Sequence, residues 1–369
     1  MSQKFPQLTH PELVIGIAGP IGIDIDEINR SIEESLKRVG YHTVPIRITE
    51  EIRLEPSDIP EPKKQDFGSQ ISYKMSHASA ICRSYGKPDT LMRFAIKAIQ
   101  NHRKREFLRS GKALQEGERA EEMVVSSTAY VIRQLKRPDE VHLLRKVYGK
   151  QFILVSAYGN QSDRKRSIEK ALKKDLPVDK EQHEISSIAD KIMHRDQNED
   201  IDRHGQHLRD TFHLADVFID GISKPEMGAT IERFFDALFG RADIAPTRWE
   251  YGMYAAKAAS LRSSDLSRQV GAAIFTPDGE IVTQGCNEVP KANGGTYWDG
   301  DEPDNRDVKL GHDPNDLSKR EIIRDLIEKL NESGLLSDAA RSFGSTNDIT
   351  HALLTTSSQD TSKGRGALK

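Results

Sequence analysis

Three glycines near the start of the chain carry its clearest chemical potential. Gly16, Gly19 and Gly22 stand in the run Gly16-Ile17-Ala18-Gly19-Pro20-Ile21-Gly22. An apolar run from Leu13 to Ile17 precedes the turn, and Ile25, Ile28, Ile32 and Leu36 share one helical face after it. Glycines between a strand and a helix let backbone N–H groups approach an anion, and the helix dipole favours negative charge there. A working phosphate loop adds Lys and then Ser or Thr directly after its last glycine. Here those places hold Ile23 and Asp24. Phosphoryl transfer needs the cation and a Mg²⁺ ligand to stabilise spread charge, so kinase chemistry is not expected. Two readings stay open. The glycines make only a tight turn, or Gly16, Gly19, Gly22 and Asp24 bind a nucleotide that is not turned over.

A second polar cluster is spread over two segments. Arg262, Ser263 and Ser264 precede the apolar run Gln269 to Thr276, and Asn287 follows the run Glu280 to Gly285. Read as residues alone, these are two strands around a Pro277-Asp278-Gly279 turn, with Asn287 capping a bend. Metal chemistry is poorly provided for. The only cysteines are Cys82 and Cys286, which excludes a site needing clustered thiolates. His351-Ala352-Leu353 comes nearest to an H-x-E motif, with Leu where the proton-shuttling carboxylate must be. His204 and His207 lie in a polar stretch with no evident further ligands. Arg103-Lys104-Arg105 reads as a solvated helix face that leaves room for RNA or other nucleic acid, and Trp249 and Trp298 read as packing residues.

These residues must be positioned by ordinary α/β elements. At 369 residues the chain is long enough for two domains. Hydrophobic residues at 36% and charged residues at 30% give a polar composition that still supports a folded core. Net charge is −3, so any surface for nucleic acid must be local. No apolar run approaches the roughly 20 residues of a membrane span, and the N-terminus lacks a signal core. A cytoplasmic protein with no membrane partner is expected. Strands are predicted at Leu13 to Ile17, Tyr41 to Ile48, Thr128 to Ile132, Phe152 to Ser156 and Val217 to Gly221. Helices are predicted at Thr90 to Met123, Pro138 to Tyr148, across the charged stretch Arg164 to Arg209, and at Ile231 to Phe239. Glu50 to Phe67 reads as loop. After a linker at Gly240 to Pro246 come a helix at Trp249 to Leu261, the hairpin, a loop-like stretch and a helix at Lys319 to Leu330. Thr355 to Lys369 shows no periodicity and reads as disordered. The predicted domains are 1–240 and 247–369.

From Leu13 to Phe239 the sequence resembles the P-loop kinase superfamily, especially small-molecule kinases of the nucleotide and dephospho-coenzyme A kinase kind. The resemblance rests on the glycine turn, on Tyr130 to Leu135 followed by Pro138 to Val141, on Gly149 to Val155, on a lid-like stretch with Arg164, Arg166, Arg195 and Asp196, and on Asp216 to Asp220. It implies a parallel sheet with helices on both faces, and lid arginines that contact phosphates.

The stretch Lys257 to Ile274, with Gly285 to Pro290 and Asn293-Gly294, resembles the opening of a deoxycytidylate deaminase. Cys286 replaces an aromatic residue of that pattern and Glu288 a glycine. The resemblance implies that Asn287 binds the deoxyribose and that Arg262, Ser263 and Ser264 help bind phosphate. A degenerate kinase-like domain joined to such a unit is similar to the bacterial anti-phage deoxycytidylate deaminases. That family converts dCTP and dCMP to the uracil nucleotides with zinc, is restrained by its N-terminal domain, and often assembles into oligomers. The zinc motifs H-x-E and P-C-x-x-C do not occur here. The expectation is therefore an incomplete cytidine deaminase-like α/β domain that lacks its zinc half and is inactive alone. The alternative is a non-catalytic regulatory protein that binds nucleotide or RNA.

Overall fold

The computed structural model describes residues 10–175, 182–197 and 207–359. His204 lies outside them. The chain divides into two units, Met1–Ile244 and Ala245–Lys369.

The first unit runs β1 (Leu13–Ala18), α1 (Ile25–Arg38), β2 (His42–Ile46), α2 (Ile48–Glu51), α3 (Phe67–Ser84), α4 (Thr90–Arg109), β3 (Thr128–Leu135), α5 (Pro138–Tyr148), β4 (Phe152–Tyr158), α6 (Gln161–Asp175), α7 (Gln182–Gln197), α8 (Leu208–Phe212), β5 (Val217–Asp220) and α9 (Lys224–Leu238). The five strands are parallel, in the order β2-β3-β1-β4-β5, with Ile15 of β1 opposite Val131 and Ile153. Such a sheet is buried on both faces, which is why its strands are near-continuous apolar runs. Side-chain alternation sends Leu13, Ile15 and Ile17 to the face covered by α1 and α9, with Ile28, Ile32, Ile231 and Phe235. Val14, Tyr130, Ile132 and Leu154 pack on the other face against Met92, Ala95, Ile99, Val141 and Leu144. This is a P-loop kinase-like α/β fold with the first strand at the centre. Helices α6 and α7 form a hairpin with its own small core of Ile168, Leu172, Ile185, Ala189, Ile192 and Met193, and Ile21 packs against it.

The structure departs from the sequence reading at several points. Gly16 lies inside β1, where a Cβ would come within 2.9 Å of the Phe152 ring, so it packs the sheet and takes no part in the turn. Helix α3 was not legible, because small and polar residues such as His77, Ala78 and Ser79 are buried on it beside Ile81 and Cys82, which breaks the apolar periodicity. Helix α4 ends at Arg109 rather than near Met123, since Gly111 turns the chain with φ of +66°. Arg103 is not purely solvated: its guanidinium lies 2.9 Å from the buried Glu12 carboxylate.

The second unit contains α10 (Arg248–Ser260), β6 (Gly271–Phe275), β7 (Ile281–Cys286), α11 (Asp307–Leu310), α12 (Pro314–Glu332), α13 (Asp338–Arg341) and α14 (Thr346–Gln359). The N-terminus of α10 is closed by a capping box between Thr247 and Glu250. Strands β6 and β7 pair antiparallel, with Ala273 opposite Gln284 and Gly279 at φ of +98° in the turn. Helix α10 packs on both strands, and Gly271 makes this possible: a Cβ there would sit 2.0 Å from the Ala256 carbonyl oxygen. Helix α14 carries regular structure through Gln359, into the stretch read as aperiodic. Trp249 is 86% exposed and packs no core.

Candidate functional site

The glycine turn sits at the C-terminal end of the central strand, where connections leave in opposite directions. Open parallel sheets bind ligands at such a switch point. Four glycines converge there. Gly22 (φ +95°) would place a Cβ 2.6 Å from the Arg164 carbonyl oxygen, and Gly19 would place one against Ile23 and Ala157. Gly159 and Gly221, which the sequence reading passed over, close in from the ends of β4 and β5. The N–H of Asp24 donates to the Gly221 carbonyl at 2.9 Å.

The turn is already engaged by the chain's own carboxylates. Asp196, at the end of α7, accepts the Ile21 N–H at 2.7 Å. Its other oxygen lies 2.7 Å from the Lys136 ammonium, which also donates to the Gly19 carbonyl at 2.6 Å. Both side chains are well removed from water, Asp196 almost completely. Asp24 caps α1 by accepting the Glu27 N–H at 3.1 Å, and Lys224 lies 3.2 Å from its carboxylate. A turn amide, Ile21, thus meets Asp196, and a helix-start amide, Glu27, meets Asp24.

Lys136 was invisible to motif reading because it arrives from β3, more than a hundred residues beyond the turn. Its position is fixed by Glu140, which accepts the N–H groups of Lys136 and Arg137 at 2.8 and 3.1 Å and pairs with the Arg137 guanidinium at 3.0 Å. Arg137 and Glu140 are fully buried. The adjoining Gln134 has φ of +64°, an uncommon conformation for a residue with a side chain. Beside these residues a cavity of about 400 Å³ opens, lined by the cations Arg47, Lys74, Arg133, Lys136 and Arg137 and the carboxylates Asp26, Glu50 and Asp196.

The lid arginines divide. Arg166 pairs with Asp163 at the surface. Arg195 donates to the Ser76 hydroxyl at 3.1 Å, tying α7 to α3. Neither is directed by these contacts toward the turn. Arg164 is buried against it, and burial pulls its pKa below the usual guanidinium value.

In the second unit, the residues singled out come together at one corner. The Ser263 hydroxyl donates to the Asn287 carbonyl at 2.7 Å and lies 3.0 Å from its Oδ1. Asn287 Oδ1 also accepts the Val270 N–H at 2.7 Å, and its Nδ2 donates to the Arg268 carbonyl at 2.7 Å. Asn287 therefore braces the 263–270 loop and keeps one Nδ2 hydrogen for another acceptor. Ser264 donates through both N–H and hydroxyl to Glu288, each at 2.8 Å. Burial pushes the Glu288 carboxyl up, but hydrogen bonds from Val289 and Ser264 outweigh it and hold the group below the usual carboxylate range. Arg262 donates to the Thr296 hydroxyl, and its guanidinium lies 3.6 Å from the centre of the exposed Trp298 ring.

Zinc, which the deaminase resemblance implies, finds no fitting donor set. Among the described residues no three His, Cys, Asp or Glu side chains group as metal ligands. Cys82 belongs to the first unit, and burial pushes its thiol up to about 11, against thiolate formation. Cys286 lies on β7 without a second thiol, and Leu353 follows His351 in α14. No helix among the described residues is long and apolar enough to cross a membrane.

No family model matches the chain, and no curated protein matches it. Among solved structures, a gluconokinase from Sinorhizobium meliloti 1021 is similar at 13% identity, covering 63% of this chain and 98% of its own, with a TM-score of 0.31. The strand order β2-β3-β1-β4-β5 and the glycine turn after the central strand make the fold kinase-like.

Proposed function

We propose that this chain belongs to an anti-phage deoxycytidylate deaminase, as the part that frames dCTP or dCMP and carries a kinase-like regulatory unit. The reading is carried by the corner where Ser263 meets Asn287, with Ser264 on the adjoining Glu288 and Arg262 beside Thr296 and Trp298. Two segments more than twenty residues apart are drawn together there by α10, β6 and β7, with Gly271 required for their close approach. The free Nδ2 hydrogen of Asn287 suits a sugar hydroxyl, and the Arg262 guanidinium suits a phosphate. The described residues fit no zinc, so no hydrolytic step is assigned to them. Conversion of dCTP to dUTP requires donors from residues other than those described. Ile274, Ile281 and Val282 are exposed on the two-stranded sheet, a surface suited to further strands or another chain. In the first unit, Asp24 and Asp196 engage the turn, which supports regulation rather than phosphoryl transfer.

The test is calorimetric titration of the full chain with dCTP, dCMP and CTP, alongside a zinc-supplemented turnover assay. Binding of a deoxycytidine nucleotide is expected, with no dUTP or dUMP formed. Asn287→Ala should weaken binding at least about tenfold, the scale of one lost hydrogen bond to a buried partner. No binding of any of the three, or unchanged binding by the variant, would overturn the reading. The second reading, a non-catalytic regulator that binds nucleotide or RNA, draws on the buried Arg164.

A further inference from the structure

Arg164 is the least explained charge in the first unit. The residue is 4% exposed, and its Nε and Nη1 atoms are buried without a hydrogen-bond partner among the described residues. Transfer of a guanidinium out of water is unfavourable unless an anion or strong acceptors meet it. The carboxylate that acts on it electrostatically is Asp196, already committed to the Ile21 N–H and Lys136. Arg164 is nonetheless held with care. Gly22 admits its backbone, and Gly159 admits its side chain, since a Cβ at Gly159 would come 3.2 Å from Arg164 Cγ.

Arg164 lines a cavity of about 240 Å³ at the side of the turn. Pro20, Tyr158, Gly159, Leu208 and Phe212 also line it, and the exposed Arg209 stands among the lining residues as a second cation. Among the described residues no carboxylate lines this cavity. We propose that it is an oxyanion site, in which Arg164 holds the phosphate or carboxylate group of a small ligand whose compact apolar body lies against Leu208 and Phe212. The anion-binding capacity of the unit has thereby moved off the glycine turn, whose Ile21 amide is closed by Asp196, and onto the lid arginine beside it. This inference rests on reading the first unit as a regulator that does not transfer phosphate.

The full chain is titrated with phenyl phosphate, benzoate, inorganic phosphate and, as an uncharged control, benzyl alcohol. Binding of phenyl phosphate or benzoate, but not of benzyl alcohol, is expected. The tighter of the two identifies a phosphate ester or a carboxylate as the natural class. Arg164→Met should reduce that affinity at least about tenfold, and Arg164→Lys should reduce it measurably because the paired guanidinium donors are lost. Ligand-free Arg164→Met should melt no lower than the unaltered chain, because a buried charge without a partner is replaced by an apolar side chain. Failure of both anions to bind, equal binding by the Arg164 variants, or a clearly lower melting temperature for ligand-free Arg164→Met would overturn the proposal. Asn287→Ala should leave phenyl phosphate binding intact, so loss of deoxycytidine nucleotide binding and loss of the oxyanion site are read separately.

Discussion

Asp196→Ala is expected to destabilise the first unit by about 3–5 kcal/mol, the usual consequence of removing one partner of a buried ion pair. The Ile21 N–H loses its acceptor, and the Lys136 ammonium keeps only the Gly19 carbonyl while still shielded from water. For a unit of this size the melting temperature should fall by roughly 6–20 °C. Asp196→Leu combined with Lys136→Met removes both charges and should recover a substantial part of the loss, because the orphaned charge is the larger part of it. Differential scanning calorimetry of the single and double variants checks both statements. A single variant that melts within a degree of the unaltered chain would show that the contact does not hold the turn.

Gly271→Val should have a comparable effect on the second unit, at about 3 kcal/mol or more, in the range of severe overpacking. A Cβ at this position meets backbone on two sides, the Ala256 carbonyl oxygen at 2.0 Å and the Ser260 nitrogen at 2.4 Å. No rotamer relieves a backbone overlap, so α10 must withdraw from β6. Withdrawal would also pull the Arg262 to Ser264 loop from Asn287, since that loop leaves directly from the end of α10. Urea unfolding should lose the transition of this unit, and Asn287-dependent nucleotide binding should disappear with it. Gly285→Ala serves as the control, because a Cβ there meets nothing within 4 Å.

The parallel sheet was legible because buried strands write themselves as apolar runs: the predicted Phe152 to Ser156 falls within Phe152–Tyr158, and Pro138 to Tyr148 coincides with α5. Helix α3 was not, since buried small and polar residues break its apolar periodicity. The turn was found from its glycines, but its occupant was not. Asp196 and Lys136 lie 175 and 117 residues from the backbone groups they contact, a distance no local pattern spans. Gly16 was misplaced for the opposite reason: it belongs to the motif by spacing but to the strand by packing. In the second unit, the resemblance selected Arg262, Ser263, Ser264 and Asn287. The structure brings Ser263 onto Asn287, sets Ser264 on Glu288 and Arg262 on Thr296 and Trp298, and shows Asn287 committed largely to bracing its own loop.

The glycine turn is closed by the protein's own carboxylate, and the most direct test of that closure is a crystal structure of the full chain grown with a millimolar non-hydrolysable ATP analogue. Asp196 should remain on the Ile21 amide, with no phosphate oxygen within hydrogen-bonding distance of residues 19–23. A β-phosphate seated on that amide, with Asp196 turned away from Lys136, would contradict the account.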